Sequence, residues 1–234
     1  MFSVIFEVFP RNEKFEEYLG LAKQLKPLLE KVDGFVDNER FGSRRRPGWI
    51  LSHSTWRDEK SVVRWRTTGE HHMIQQQGRD QILNDYHLRV GDVTYDTNAP
   101  REAPIHEQRF DETETGVAKI MTLTEIVPRP GIVFGSPDEI LSSIGLNRFS
   151  DHVLDNDIFE SIYNPGKQAI LLSWEDAITG NNWNPIMTKE IQALRHRRVR
   201  IVRDYGMFDR RESPQFFADA KGRATIHAKT IPEN

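Results

Sequence analysis

Residues 37–48 read DNERFGSRRRPG, and residues 155–166 read DNDIFESIYNPG. The offset of 118 that sets Asn38 on Asn156 also sets Phe41 on Phe159, Ser43 on Ser161, Pro47 on Pro165 and Gly48 on Gly166. Further along it sets Trp56 on Trp174, Asp58 on Asp176 and Trp65 on Trp183; upstream it sets VIFEVFPR (4–11) on TLTEIVPR (122–129), with Glu7 on Glu125. Chance identities do not hold one offset over such a span. Beyond Trp183 the offset changes to 109, where HLRVGDV (87–93) matches HRRVRIV (196–202), so the second copy is about nine residues shorter there. A module of roughly a hundred residues is written twice.

Each copy predicts strand, helix, strand, strand, helix, strand. In the first copy SVIFEVF gives way to FEEYLGLAKQLKPLLEKV, whose Phe15, Leu19, Ala22, Leu25 and Leu29 recur at helical spacing, and Asp33-Gly34 ends the helix. FVDNERF and GWILSHSTW flank the RRRPG turn as a hairpin. Asp58 is an N-cap for the next helix, Gly69 interrupts it, and a helical stretch from Glu70 to Leu83 precedes the closing strand. In the second copy Ser136-Pro137-Asp138-Glu139 has the capping-box form. This order is that of the ferredoxin-like split βαβ unit. Its helices cover one face of a four-stranded sheet, and the first strand is apolar on both faces, Val4/Phe6/Val8 and Ile5/Phe9. The expected architecture is therefore α+β, two tandem modules packed sheet to sheet within one chain: 1–98, a linker at 99–116, 117–211, and a C-terminal tail at 212–234.

The 234 residues contain no cysteine, which excludes disulfides and every thiolate site. A net charge of −3 gives no global basic footprint for nucleic acid, and no apolar run approaches the roughly 20 residues of a membrane span. MFSVIFEVFP at the start lacks a basic region and a cleavage site, so a cytoplasmic protein is expected. The basic stretch at 195–211 alternates Arg198/Arg200 with Val199/Ile201, as a strand with one wet face does, and lacks the interleaved aromatics of a nucleic-acid binder.

GFVDNERFGS, WRDEKSVVRWRTTGEHH and DYHLRV resemble the antibiotic biosynthesis monooxygenase family, of the dimeric α+β barrel superfamily; residues 1–95 carry the resemblance and 117–210 a diverged version of it. The resemblance implies that the tandem modules form an intramolecular dimeric α+β barrel. It also implies oxygenation of a small electron-rich aromatic or enolisable molecule, in which a base removes a proton and the anion meets oxygen directly, with no flavin or metal and no cofactor expected. Two alternatives stay open: a haem-binding or haem-degrading relative, and a non-catalytic small-molecule-binding or stress-response module. The expected partners are an aromatic or acidic small molecule and molecular oxygen, with association of whole pseudo-dimers left open.

In such relatives a helical His lines a pocket between helix and sheet. His72, seven residues after Trp65, shares its face if the helix is continuous, which makes His72 the expected base, with Trp65 a wall and His71 adjacent. An exposed pair of helical histidines is the plainer alternative. Glu7 is the second expected base, against the plainer expectation that it pairs with Arg89. Asn38, Arg40, His53, Trp56 and His87 lie on strands that could face the same cavity, with Asn38 or Arg40 as donors to a developing oxyanion. His87 and Asn38 have counterparts in His196 and Asn156, which favours architectural roles, and His53, His72 and His87 form no recognised metal motif. The second copy lacks the His71/His72 segment, so one working site is expected, in the first half. The Arg44–Arg46 triplet is expected to be a solvated hairpin tip, or a lure for an acidic substrate.

Overall fold

Local signals act as expected where the chain turns. Asp58 caps α2 (Glu59–Arg66) by accepting from the Ser61 amide at 2.8 Å, and Asp176 caps α5 (Ala177–Asn182) by accepting from Thr179 at 2.7 Å. Gly34, at φ 87°, ends the turn after α1 (Phe15–Leu29); a Cβ there would sit 2.0 Å from the Ser61 hydroxyl oxygen. The computed structural model describes residues 1–147, 149 and 151–214, so most of the expected tail lies outside the described residues.

The first half runs β1 (Phe2–Pro10), α1, β2 (Phe35–Ser43), β3 (Ile50–Trp56), α2, α3 (Gly69–Gln77) and β4 (Leu83–Asp96). The second runs β5 (Ile120–Pro128), α4 (Pro137–Ser143), β6 (Val153–Ser161), β7 (Gln168–Trp174), α5 and β8 (Ile191–Gly206). Strand order is β4-β1-β3-β2 in one half and β8-β5-β7-β6 in the other, the antiparallel ferredoxin-like arrangement. Phe2 stands opposite Trp56 as Ile120 stands opposite Trp174. The bulge between Phe35 and Asp37 recurs between Val153 and Asp155, and the shift between Phe9 and Pro10 recurs between Val127 and Pro128. The last strands need one correction. Glu7 faces His87 and Glu125 faces Arg195, so His196 holds the place of Leu88, one residue away from the pairing with His87 that the sequence suggested.

The halves do not meet as two separate stacked sheets. β2 pairs with β6 and the long β4 pairs with β8, so the eight strands close into one barrel. Unpaired edge strands expose rows of N–H and C=O groups, and closure satisfies both edges of both sheets. Met1, Ile5, Phe41, Leu51, Met121, Leu123 and Phe159 fill the lumen, while the helices cover the outside. Among the described residues no helix is long and apolar enough to cross a membrane.

Candidate functional site

Strand alternation divides the expected site residues between two compartments. On β1, Val4 and Phe6 point toward the helices; on β3, Ser52, Ser54 and Trp56 do, and on β2, Asn38 and Arg40 do. Together with α1, α2 and α3 they enclose a cavity of about 1190 Å³. Trp65, His71 and His72 line it as well.

Glu7, His53 and His87 lie one residue out of phase and face the lumen, which corrects their placement beside the other candidates. Glu7 is buried and ion-paired with both Arg89 and Arg46. His53 Nε2 meets the Ser3 hydroxyl at 2.8 Å; burial first, and then the nearby Arg197, push its pKa down to about 4. His87 pairs with Asp204 at one barrel end. The three histidines His53, His72 and His87 are thus not brought together.

The Arg44–Arg46 triplet is not simply a solvated tip: Arg45 is exposed and reaches Asn156, and the other two are engaged further. Arg46 donates from Nε to Asp157 at 2.7 Å, reaches Glu7, and lies 4.6 Å over the Trp49 ring; Arg44 donates to the Phe134 carbonyl at 3.1 Å. The triplet therefore ties the first hairpin to the second half. The other barrel end meets the same need with Lys167, which pairs with Glu39 and Glu125.

The helix is interrupted just before Gly69, where an interruption was expected, so Trp65 and His72 do not share the face that a continuous helix would give them. Thr67 leaves helical geometry, Thr68 is extended with ψ 138°, and α3 starts afresh at Gly69. The break turns His71, rather than His72, back onto Trp65: the rings stack at 4.2 Å and 17°, and His71 Nδ1 lies 3.2 Å from the Trp65 carbonyl oxygen. A carbonyl oxygen only accepts, so Nδ1 carries the hydrogen and the neutral ring keeps its lone pair on Nε2. Burial pushes the His71 pKa down to about 4, with the neighbouring His72 and Arg66 adding to the shift and the hydrogen bond opposing it. His72 lines the cavity from its exposed side.

Several lining groups carry no signal in the local sequence pattern. Tyr18 comes from α1 and Arg66 from the end of α2, while Arg203, Tyr205 and Arg210 come from β8 and the segment after it, in the other half of the chain. Arg210 is held by the Tyr86 hydroxyl and by Ser213 at 2.7 Å. In the second half the space equivalent to the cavity is packed: Ile158, Ile170 and Leu172 stand where the first half has Arg40, Ser52 and Ser54, and α4 adds Ile140 and Leu141. Among the described residues no second α3 follows α5; the chain passes from α5 to β8 without it.

Comparison with known proteins gives these features a family. Residues 1–77, which carry β1–β3 and α1–α3, match the family model for antibiotic biosynthesis monooxygenases. A jasmonate monooxygenase from Pyricularia oryzae is 42% identical over 225 residues, covering 94% of this chain and all of that protein. Among solved structures, an antibiotic biosynthesis monooxygenase is 17% identical, with 43% of this chain and 100% of that one covered and a TM-score of 0.36. A conserved protein from Methanosarcina mazei is 19% identical, with 38% and 88% covered and a TM-score of 0.36. The assignment rests on the fungal relative, whose identity extends across both halves: the chain belongs to the antibiotic biosynthesis monooxygenase family and is a monooxygenase.

Proposed function

We propose that the cavity of the first half binds a small enolisable or electron-rich molecule, that His71 Nε2 removes a proton from it, and that the resulting carbanion reacts directly with oxygen. The observation that carries this reading is the pairing of His71 with the Trp65 carbonyl, which leaves Nε2 as the basic nitrogen in a largely apolar enclosure. A neutral imidazole accepts the proton, and the imidazolium formed is then stabilised by the substrate anion beside it. Arg66, which lines the cavity and acts electrostatically on His71, is placed to offset the growing negative charge. The carbanion and oxygen give a peroxide, which loses water to leave a carbonyl. One oxygen atom enters the product and the other leaves in water, with the substrate methylene supplying all the electrons. No flavin, metal or haem enters this scheme.

The fungal relative is named for jasmonate, a cyclopentanone acid, and an enolisable ketone of that kind suits this chemistry. Jasmonate and related ketone acids are therefore the first substrates to test here. The two halves, 1–98 and 117–211 joined by 99–116, fit a duplicated module in which the first copy keeps the site and the second serves as its barrel partner; shared register and shared bulges support that history.

Oxygen uptake by metal-free protein with ketone acids and quinols, followed by mass analysis of product made under isotopic oxygen, tests the reading. One labelled atom per product without added reductant is expected. A Soret band in the purified protein, or turnover only with added flavin or metal, would overturn it.

A further inference from the structure

The cavity holds two arginines that differ from the rest of its charged lining. Arg79 lies beside Asp80 at 3.4 Å, Arg211 donates to Asp209 at 2.9 Å, and Arg203 is 4.0 Å from Glu59. Arg210 has no carboxylate within 4 Å among the described residues but is held by the Tyr86 hydroxyl and Ser213, whereas Arg40 and Arg66 lack a carboxylate and the Nε atom of each is buried without a hydrogen-bond partner. Each of these last two guanidinium groups thus keeps a buried N–H without an acceptor and a charge without a counter-ion, and an anion that docks beside it supplies both.

Arg40 is also held in place. The Asn38 amide nitrogen donates to the His53 carbonyl at 2.8 Å, which turns its Oδ1 to accept from Arg40 Nη1 at 3.2 Å. The Tyr18 phenol lies beside the guanidinium, and burial keeps it protonated and so an O–H donor. The chain supplies its own control: opposite Ser52, the position of Arg40, the second half has Ile158 opposite Ile170, both fully buried in a packed core. The arginine occurs where the cavity occurs.

We propose that Arg40, with Tyr18 at its side, is the carboxylate-binding and specificity-determining residue of this cavity, so that the substrate is a small apolar acid bound as its anion. The proposal rests on the cavity being the substrate site. It assigns Arg40 to the resting charge of the substrate and leaves Arg66, next to His71, for the charge that develops during reaction. Anchoring the acid group on β2 also selects which carbon approaches the α2–α3 break.

The test compares binding of jasmonate and of its methyl ester, two probes of nearly the same shape that differ in charge, through quenching of tryptophan fluorescence from Trp56 and Trp65. The wild type is expected to prefer the acid by about tenfold to a hundredfold, the usual range for a charge-assisted contact. In Arg40→Met the ratio of the two Kd values should collapse toward one, in Arg40→Lys much of it should persist, and in Arg66→Met it should stay within about threefold. No preference in the wild type, binding of neither probe, an unchanged ratio in Arg40→Met, or a collapse in Arg66→Met instead would each overturn the assignment. Oxygen uptake separates this inference from the proposed reaction. Acid-selective binding without uptake would sink the oxygenation and leave Arg40 standing, whereas uptake with no preference for the acid would do the reverse.

Discussion

Replacing His71 and His72 separately by alanine should give opposite results, although the two are neighbours. His71 packs against Trp65 with its Nδ1 hydrogen engaged by the Trp65 carbonyl, and its pKa lies at about 4 rather than near 6.5, an upper bound of ~3 kcal/mol in favour of the neutral base. His72 reaches the cavity from its exposed side and has no such support. Loss of a general base lowers turnover by on the order of a hundredfold or more, so His71→Ala should fall by that amount and His72→Ala should stay within about threefold. The pH profile adds a second readout. The reaction needs His71 unprotonated, so kcat/KM should hold level as pH drops through 6.5 and decline only toward 4, and the decline should vanish from the residual rate of His71→Ala. Initial rates after a brief pH jump, with near-UV circular dichroism to verify that the protein is still folded, provide the assay. An acid limb centred near 6.5, or a large loss in His72→Ala with little in His71→Ala, would refute the reasoning.

Arg46→Met should destabilise the protein by ~1–3 kcal/mol in urea unfolding, because it strips a partner from the buried carboxylates Glu7 and Asp157 while Arg89 still pairs with Glu7; an unchanged midpoint would show the tie between halves to be idle. Stability should decline as pH falls from 6.5 to about 4, since His53, His71 and His196 are all held near 4 by burial first, and the unfolded chain binds their protons earlier than the native one. Thermal midpoints across that window check it, and a flat profile would contradict it; His53→Asn should flatten part of the slope. Gly91→Ala should cost ~1–3 kcal/mol or more, because the added Cβ would lie 2.3 Å from the Arg200 carbonyl oxygen at the β4–β8 seam, where backbone cannot step aside.

The repeat, the order of elements and the helix caps were all legible in the sequence because each depends on neighbours within a few residues. Asp58 caps whatever follows it, and Pro47-Gly48 turns a hairpin in any surroundings. The 118-residue offset held through three strands, where Phe2 pairs with Trp56 as Ile120 pairs with Trp174. It slipped by one residue at the last strand, where similarity of HLRVGDV to HRRVRIV favoured an alignment that strand pairing does not keep. The absence of a second α3 segment was also legible, since a missing helix is a missing stretch of letters.

Which face a strand residue takes was not legible when both faces are buried. Polar and apolar residues then occur on each side, and a shift of one position moves a side chain to the other compartment. That is why Glu7, His53 and His87 went to the lumen while Arg40 and Trp56 lined the cavity. The helix break at Thr67-Thr68 put His71 in place of His72, a change of one residue that ring stacking on Trp65 decides and helical spacing cannot. Closure of the barrel is the most remote of these facts. It pairs edge strands more than a hundred residues apart, brings Arg203, Tyr205 and Arg210 into the first half's cavity, and turns an arginine triplet at a hairpin tip into a tie between halves. Such contacts are set by the demand of unpaired backbone edges for partners, and that demand is met only when the whole chain has folded.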